Sequence, residues 1–191
     1  FFQNHFSALA AGSNEDLLKE AEFQLGLYLA SFGMYRGSSD LLDLHRSVYG
    51  PMITALCGVA QENGVKAFTE ISNPRTIESL ARETKKCLEA LNISATPTLI
   101  SKILMGTFGC LPSFDQKLRT AVEKLKTNPK NKDLTNVQDL SFGPIQSIPA
   151  WLHFAETNYS FFDQAAPNFR NSDKRYPIMR VIDLYFWLCE K

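Results

Sequence analysis

No closely spaced pair of metal-ligating side chains occurs in this sequence. Cys57, Cys87, Cys110 and Cys189 are scattered without a CxxC pair, and His5, His45 and His153 never reach HxxxH spacing. Zinc and iron–sulfur patterns are therefore missing, and neither a metal nor another cofactor is expected. Four free thiols suit a reducing compartment, so the expected location is cytoplasmic. Net charge is lacking too: 20 Lys plus Arg balance 20 Asp plus Glu. A polybasic binder that holds nucleic acid through its overall field is thereby excluded. No apolar run approaches the ~18–20 residues of a membrane-spanning helix. The longest uncharged stretches, around Ser47–Gln61 and Leu140–Ala155, are broken by Gly, Pro and Gln. Phe1 to Phe6 carry no basic start, so a secretory signal and a membrane partner are not expected. Finally, no segment alternates with period two for long enough to require a strand.

Helical periodicity fills the space these absences leave. With 45% hydrophobic residues, fourteen Phe among them, the 191-residue chain can bury a substantial core. Ser13 is placed to cap a helix over about Asn14–Phe32, with Leu17, Leu18, Leu25, Tyr28 and Leu29 along one face. Ser38 or Ser39 should start a second, which Gly50-Pro51 should break or kink. Asn73-Pro74 and Thr96-Pro97 each pair a capping side chain with Pro at the first helical position. Another start is expected at Pro112-Ser113, and residues Thr127–Pro144 read as a long surface loop. Pro177–Cys189 is apolar around most of its circumference and is expected at the centre of the core. Loss of a fully packed Trp187 ring there would cost ~3–5 kcal/mol. The expected fold is all-α: one compact multi-helix domain over residues 1–191 with a buried C-terminal helix, divisible into sub-lobes 1–72 and 73–191.

One stretch suggests chemistry. Leu91 to Asp115 reads LNISATPTLISKILMGTFGCLPSFD: a helix end, a short turn, a helix, a loop and an Asp heading a third helix. This layout resembles the core of the helix-hairpin-helix DNA glycosylase superfamily over Leu91–Arg119. Leu91 matches the hairpin start, Thr98 the approach to the helix, Phe108-Gly109 its end and Asp115 the catalytic acid. The resemblance implies a helical scaffold, DNA as partner, and Asp115 as a carboxylate that stabilises cationic charge or activates water. The turn Asn92–Thr96 has none of the glycines by which the superfamily brings backbone amides to a phosphate. Thr96 and Pro97 stand where bifunctional members carry a nucleophilic Lys, so the implied activity is monofunctional base excision. Read from the residues alone, Asp115 is a first-turn acid that favours the helix dipole and pairs with Arg119 four residues on.

Charge placement is the second lead. Gln116–Lys132 holds Lys117, Arg119, Lys124, Lys126, Lys130 and Lys132 against one acid, Glu123. This stretch is the expected nucleic-acid or anion face of a neutral chain. Its five lysines on duplex DNA would give a log–log salt slope of about −4 to −5. Arg36 joins the anion-binding candidates because two glycines flank it and hydroxyls follow at a helix start. Two function classes remain: a helical interaction or scaffold domain without catalysis, with a protein partner, and a DNA-associated protein acting through Asp115. The first is the leading expectation.

Overall fold

The computed structural model describes residues 9, 15–36, 40–42, 44–65, 72–127, 134–166 and 176–189. Among them are eight α-helices and no strand, which makes the fold all-α. In chain order these are α1 (Glu15–Ser31), α2 (Tyr49–Glu62), α3 (Pro74–Ala90), α4 (Pro97–Thr107), α5 (Gln116–Thr127), α6 (Ile148–Thr157), α7 (Tyr159–Ala165) and α8 (Ile178–Cys189). Short 3₁₀ turns form at Arg46–Val48 and Val137–Asp139.

The helix ends follow from their side chains. Asn73 accepts the Arg75 N–H at 3.0 Å and Thr96 accepts the Leu99 N–H at 3.2 Å, so both Pro-led starts form as expected. Glu15 and Asp16 favour the positive end of α1. Its other end closes on Gly33 (φ +70°), which lets Met34 N–H return to the Leu29 carbonyl at 3.0 Å. The Ser13 cap and the Ser38/Ser39 start fall outside the described residues.

Helix α1 packs on α2 and α4, α2 on α3, α3 on α4 and α6, and both α5 and α7 on α8. One hydrophobic cluster runs from Ala21 to Phe186. Its aromatic centre is Trp151, which is fully buried among Phe114, Phe142, Phe154 and Phe186 with ring centroids 5.7–6.2 Å away.

Five expectations need correction. Gly50-Pro51 does not split a helix but lies in the first turn of α2, where the N–H that Pro lacks would have had no intrahelical partner. Leu41 and Leu42 lie in a turn, not on that helix. The described part of Thr127–Pro144 is not a plain surface loop, because Leu134 and Leu140 are buried. The Asn158 side-chain amide grips Thr135 there on both N–H (3.0 Å) and C=O (3.1 Å), and the Trp151 indole donates to the Ser141 carbonyl at 2.8 Å. The start at Pro112-Ser113 is delayed to Gln116, since Leu111–Phe114 are non-helical and buried. Finally, α8 buries Met179, Val181, Ile182 and Phe186, yet Trp187 is only half-buried and Leu188 is exposed. The apolar circumference of α8 therefore exceeds what the core covers, and the Trp187 cost stated for full packing does not apply.

A buried charge cluster as candidate functional site

The site grows out of a backbone problem. Residues Leu111–Phe114 leave helical geometry while buried, so their polar groups need partners other than a helix ladder. Side chains from three helices supply them. Ser101 of α4 accepts the Phe114 N–H at 2.8 Å, and Thr98 donates to the Phe114 carbonyl at 2.8 Å. Arg119 of α5 donates to that same carbonyl at 3.1 Å, and Asp183 of α8 accepts the Ser113 N–H at 2.8 Å.

Asp183 brings a charge with it. Only 2% exposed, it pairs with Arg180 of the same helix at 2.8 Å. Burial pushes its carboxyl up to about 6 and the charge of Asp115 adds to this, while Arg180 and the Ser113 N–H act in the opposite direction. Lys102 of α4, 5% exposed, feels both Asp115 and Asp183, which favour its charged form. Burial outweighs them and lowers its pKa. Its Nζ donates to the Phe32 carbonyl at 3.2 Å, lies 3.5 Å from Met34 Sδ, and sits 5.1 Å over the Phe32 ring. The Arg180 guanidinium lies 5.4 Å from that ring.

The Tyr28 hydroxyl reaches the same neighbourhood, where burial raises its pKa and Arg180, Asp183 and Asp115 all act on it. The close approach of its ring explains Gly106, where a Cβ would lie 2.6 Å from the ring carbons. Tyr28 Oη and Ser113 Oγ are buried without a hydrogen-bond partner among the described residues.

Two acids, two cationic side chains and two hydroxyls in one locus, with Asp115 and Arg180 at its half-buried edge, are the materials of acid–base chemistry, and such groups concentrate at functional sites. An amine made less basic by burial is also a potential nucleophile. The geometry gives each charge a structural partner as well. Lys102 satisfies an orphan carbonyl at the C-terminal end of α1, where a cation is favoured. Asp183 joins α8 to the Ser113 turn.

Asp115 heads α5 as expected, and its Oδ1 accepts the Leu118 N–H at 3.0 Å as an N-cap. Asp115→Ala should cost about 1 kcal/mol. Asp115→Asn should retain most of that stability, as thermal melts of the two variants will show. Of the expected basic face, Lys117 Nζ sits 3.5 Å over the Trp187 ring and Arg119 lies 5.0 Å from the Phe142 ring. Lys126 pairs with Glu123 at 3.0 Å and donates to the Leu140 carbonyl at 2.8 Å. Lys124 lines a shallow hollow with Gln116, Arg119 and Thr120. Lys130 and Lys132 lie outside the described residues.

Arg36 lines a separate cavity of about 320 Å³, between Gly33-Met34 and the α3–α4 turn. That turn closes without glycine because Asn92 takes the left-handed conformation (φ +56°). Its Ser94 N–H donates to Asp40 at 2.8 Å, so a carboxylate of the chain itself occupies an amide that could have faced a phosphate.

The thiols are poor nucleophiles where described. Burial pushes Cys57 up to about 11 and Cys110 up to about 12, and burial and Glu83 raise Cys87. No group of three His, Cys, Asp or Glu side chains that could hold a metal occurs among the described residues. Among the described residues no helix is long and apolar enough to cross a membrane.

Lys102, Arg180 and Asp183 escaped the sequence reading, although a signal was present. Each is an isolated charge inside an otherwise apolar helical segment, LISKILM or PIMRVIDLYF. Comparison with protein families, curated proteins and solved structures finds no match for the chain.

Proposed function

We propose that the chain is a helical interaction domain without catalysis of its own, and that α1 carries the recognition face. One observation carries this reading. Phe23 and Leu27, one turn apart on α1, are 47% and 53% exposed beside a hollow of about 250 Å³ that Gly26, Ala30, Tyr35, Leu44 and Arg46 also line. Large apolar side chains at helical spacing around a hollow suit the apolar face of an amphipathic partner helix. Arg46, stacked 5.5 Å over the Phe23 ring, favours an acidic residue on that helix. The roles of Asp115, Lys117, Arg119 and Lys126 inside the fold support the same reading, since each already serves packing or capping.

Photo-crosslinking side chains at positions 23, 27 and 85 in the full chain test it in cells. Positions 23 and 27 should yield the same adduct, which Arg46→Glu removes, while exposed position 85 on α3 should not. Equal labelling from position 85, or an adduct indifferent to Arg46→Glu, would refute the proposal.

A further inference from the structure

Asp183 is the hydrogen-bonding side chain that joins α8 to the Ser113 turn, and three charged groups from different parts of the fold act on it, while its own charge acts on Tyr28. Arg180 comes from its own helix, Lys102 from α4, Tyr28 from α1 and Asp115 from the turn before α5. Beyond this locus, Lys117 of α5 faces α8 over the Trp187 ring. Ionised, Asp183 only accepts, and it holds the Ser113 N–H and Arg180. The same locus contains two hydroxyls, Ser113 Oγ and Tyr28 Oη, without partners among the described residues. A neutral carboxyl would still accept the Ser113 N–H and would gain an O–H to donate to an orphan oxygen. The Arg180 guanidinium would then lose its counter-charge. Its side chain is 25% exposed and lies against the half-buried Phe32 ring, so the released charge would face the surface.

We propose that the Asp183–Arg180 pair at the α8–Ser113 junction is a proton-operated lock on Arg180. Uptake of one proton by Asp183 keeps α8 seated on the turn and frees Arg180 as a surface cation for an acidic group of a partner. The proton goes to a carboxylate oxygen and no covalent bond other than the O–H forms.

The direction follows from linkage. The carboxyl takes up its proton more readily in the folded chain, at about 6, than at its ordinary value of 3.8. Its stabilising contribution is therefore complete below the ordinary value and is lost as pH rises through about 6. A shift of about two units is worth roughly a hundredfold in the folding equilibrium, of which roughly tenfold falls between pH 7.5 and 5.

Carbon-detected NMR of Asp183 and the Arg180 Nε resonance, followed from pH 8 to 4.5 in the full chain, test the lock. Both should titrate together with a midpoint near 6, and Arg180→Gln should raise the Asp183 midpoint. Asp183→Asn keeps the acceptor for Ser113 but cannot ionise. It should hold Arg180 in the released state at every pH and remove the tenfold pH dependence from denaturant unfolding. Titration of Asp183 at an ordinary carboxylate value, or an Arg180 resonance indifferent to it, would overturn the proposal. So would equal pH dependence of stability in the Asn variant.

Discussion

Trp151→Ala should be among the most damaging single substitutions, lowering stability by roughly 3–5 kcal/mol. Its ring is fully buried, touches four other aromatic rings and donates to the Ser141 carbonyl. Truncation would open a cavity at the contact of α6 with α8 and leave that carbonyl without its donor. For a chain of this length the melting temperature should fall by roughly 6–20 °C. Urea unfolding followed by circular dichroism will measure it. A loss below about 1 kcal/mol would mean that the aromatic cluster is not the centre of the core.

Lys102→Met should cost roughly 1–3 kcal/mol at pH 7.5, the usual penalty for leaving a buried acceptor without its donor. The substitution keeps most of the apolar stem beneath Phe32 but takes the donor from the Phe32 carbonyl and a positive charge from beside Asp183. The cost should shrink as pH falls towards 5, because Asp183 then takes up a proton and no longer needs that charge. Unfolding free energies of the variant and parent at the two pH values check both statements. A cost that grows in acid would contradict the assignment of Lys102 to this cluster.

These two sites mark how far the sequence could be read. Asn73-Pro74 and Thr96-Pro97 were legible because a cap and its proline act within a few residues. The helical stripe of α3 was legible for a similar reason, since Ile77, Leu80, Ala81, Thr84 and Leu88 recur with the helical period and are all buried. The Leu111–Phe114 segment was not, because Thr98, Ser101, Arg119 and Asp183 stabilise it from elsewhere in the chain. Residues Leu134–Leu140 escaped for the same reason, since their polar backbone is held by Asn158 and Lys126.

The candidate site was legible only in part. Asp115 was found as the acid at the head of a helix, and that position gives it a capping role. The basic stretch reads as a row of charges, but periodicity does not reveal that Lys117 lies over Trp187 or that Lys126 reaches the Leu140 carbonyl. Trp187 departs from its expected full burial because an all-round apolar helix does not declare which end leaves the core.

The central claim is that these charges serve the fold while an apolar face of α1 serves recognition. Fluorescence anisotropy of a labelled DNA duplex, titrated with the full chain from 50 to 200 mM salt, bears on it most directly. No affinity should depend on Lys124 or Lys126, so the Lys124→Glu/Lys126→Glu variant should match the parent at every salt concentration. A log–log slope of about −4 to −5 in the parent, flattened by that charge reversal, would contradict it.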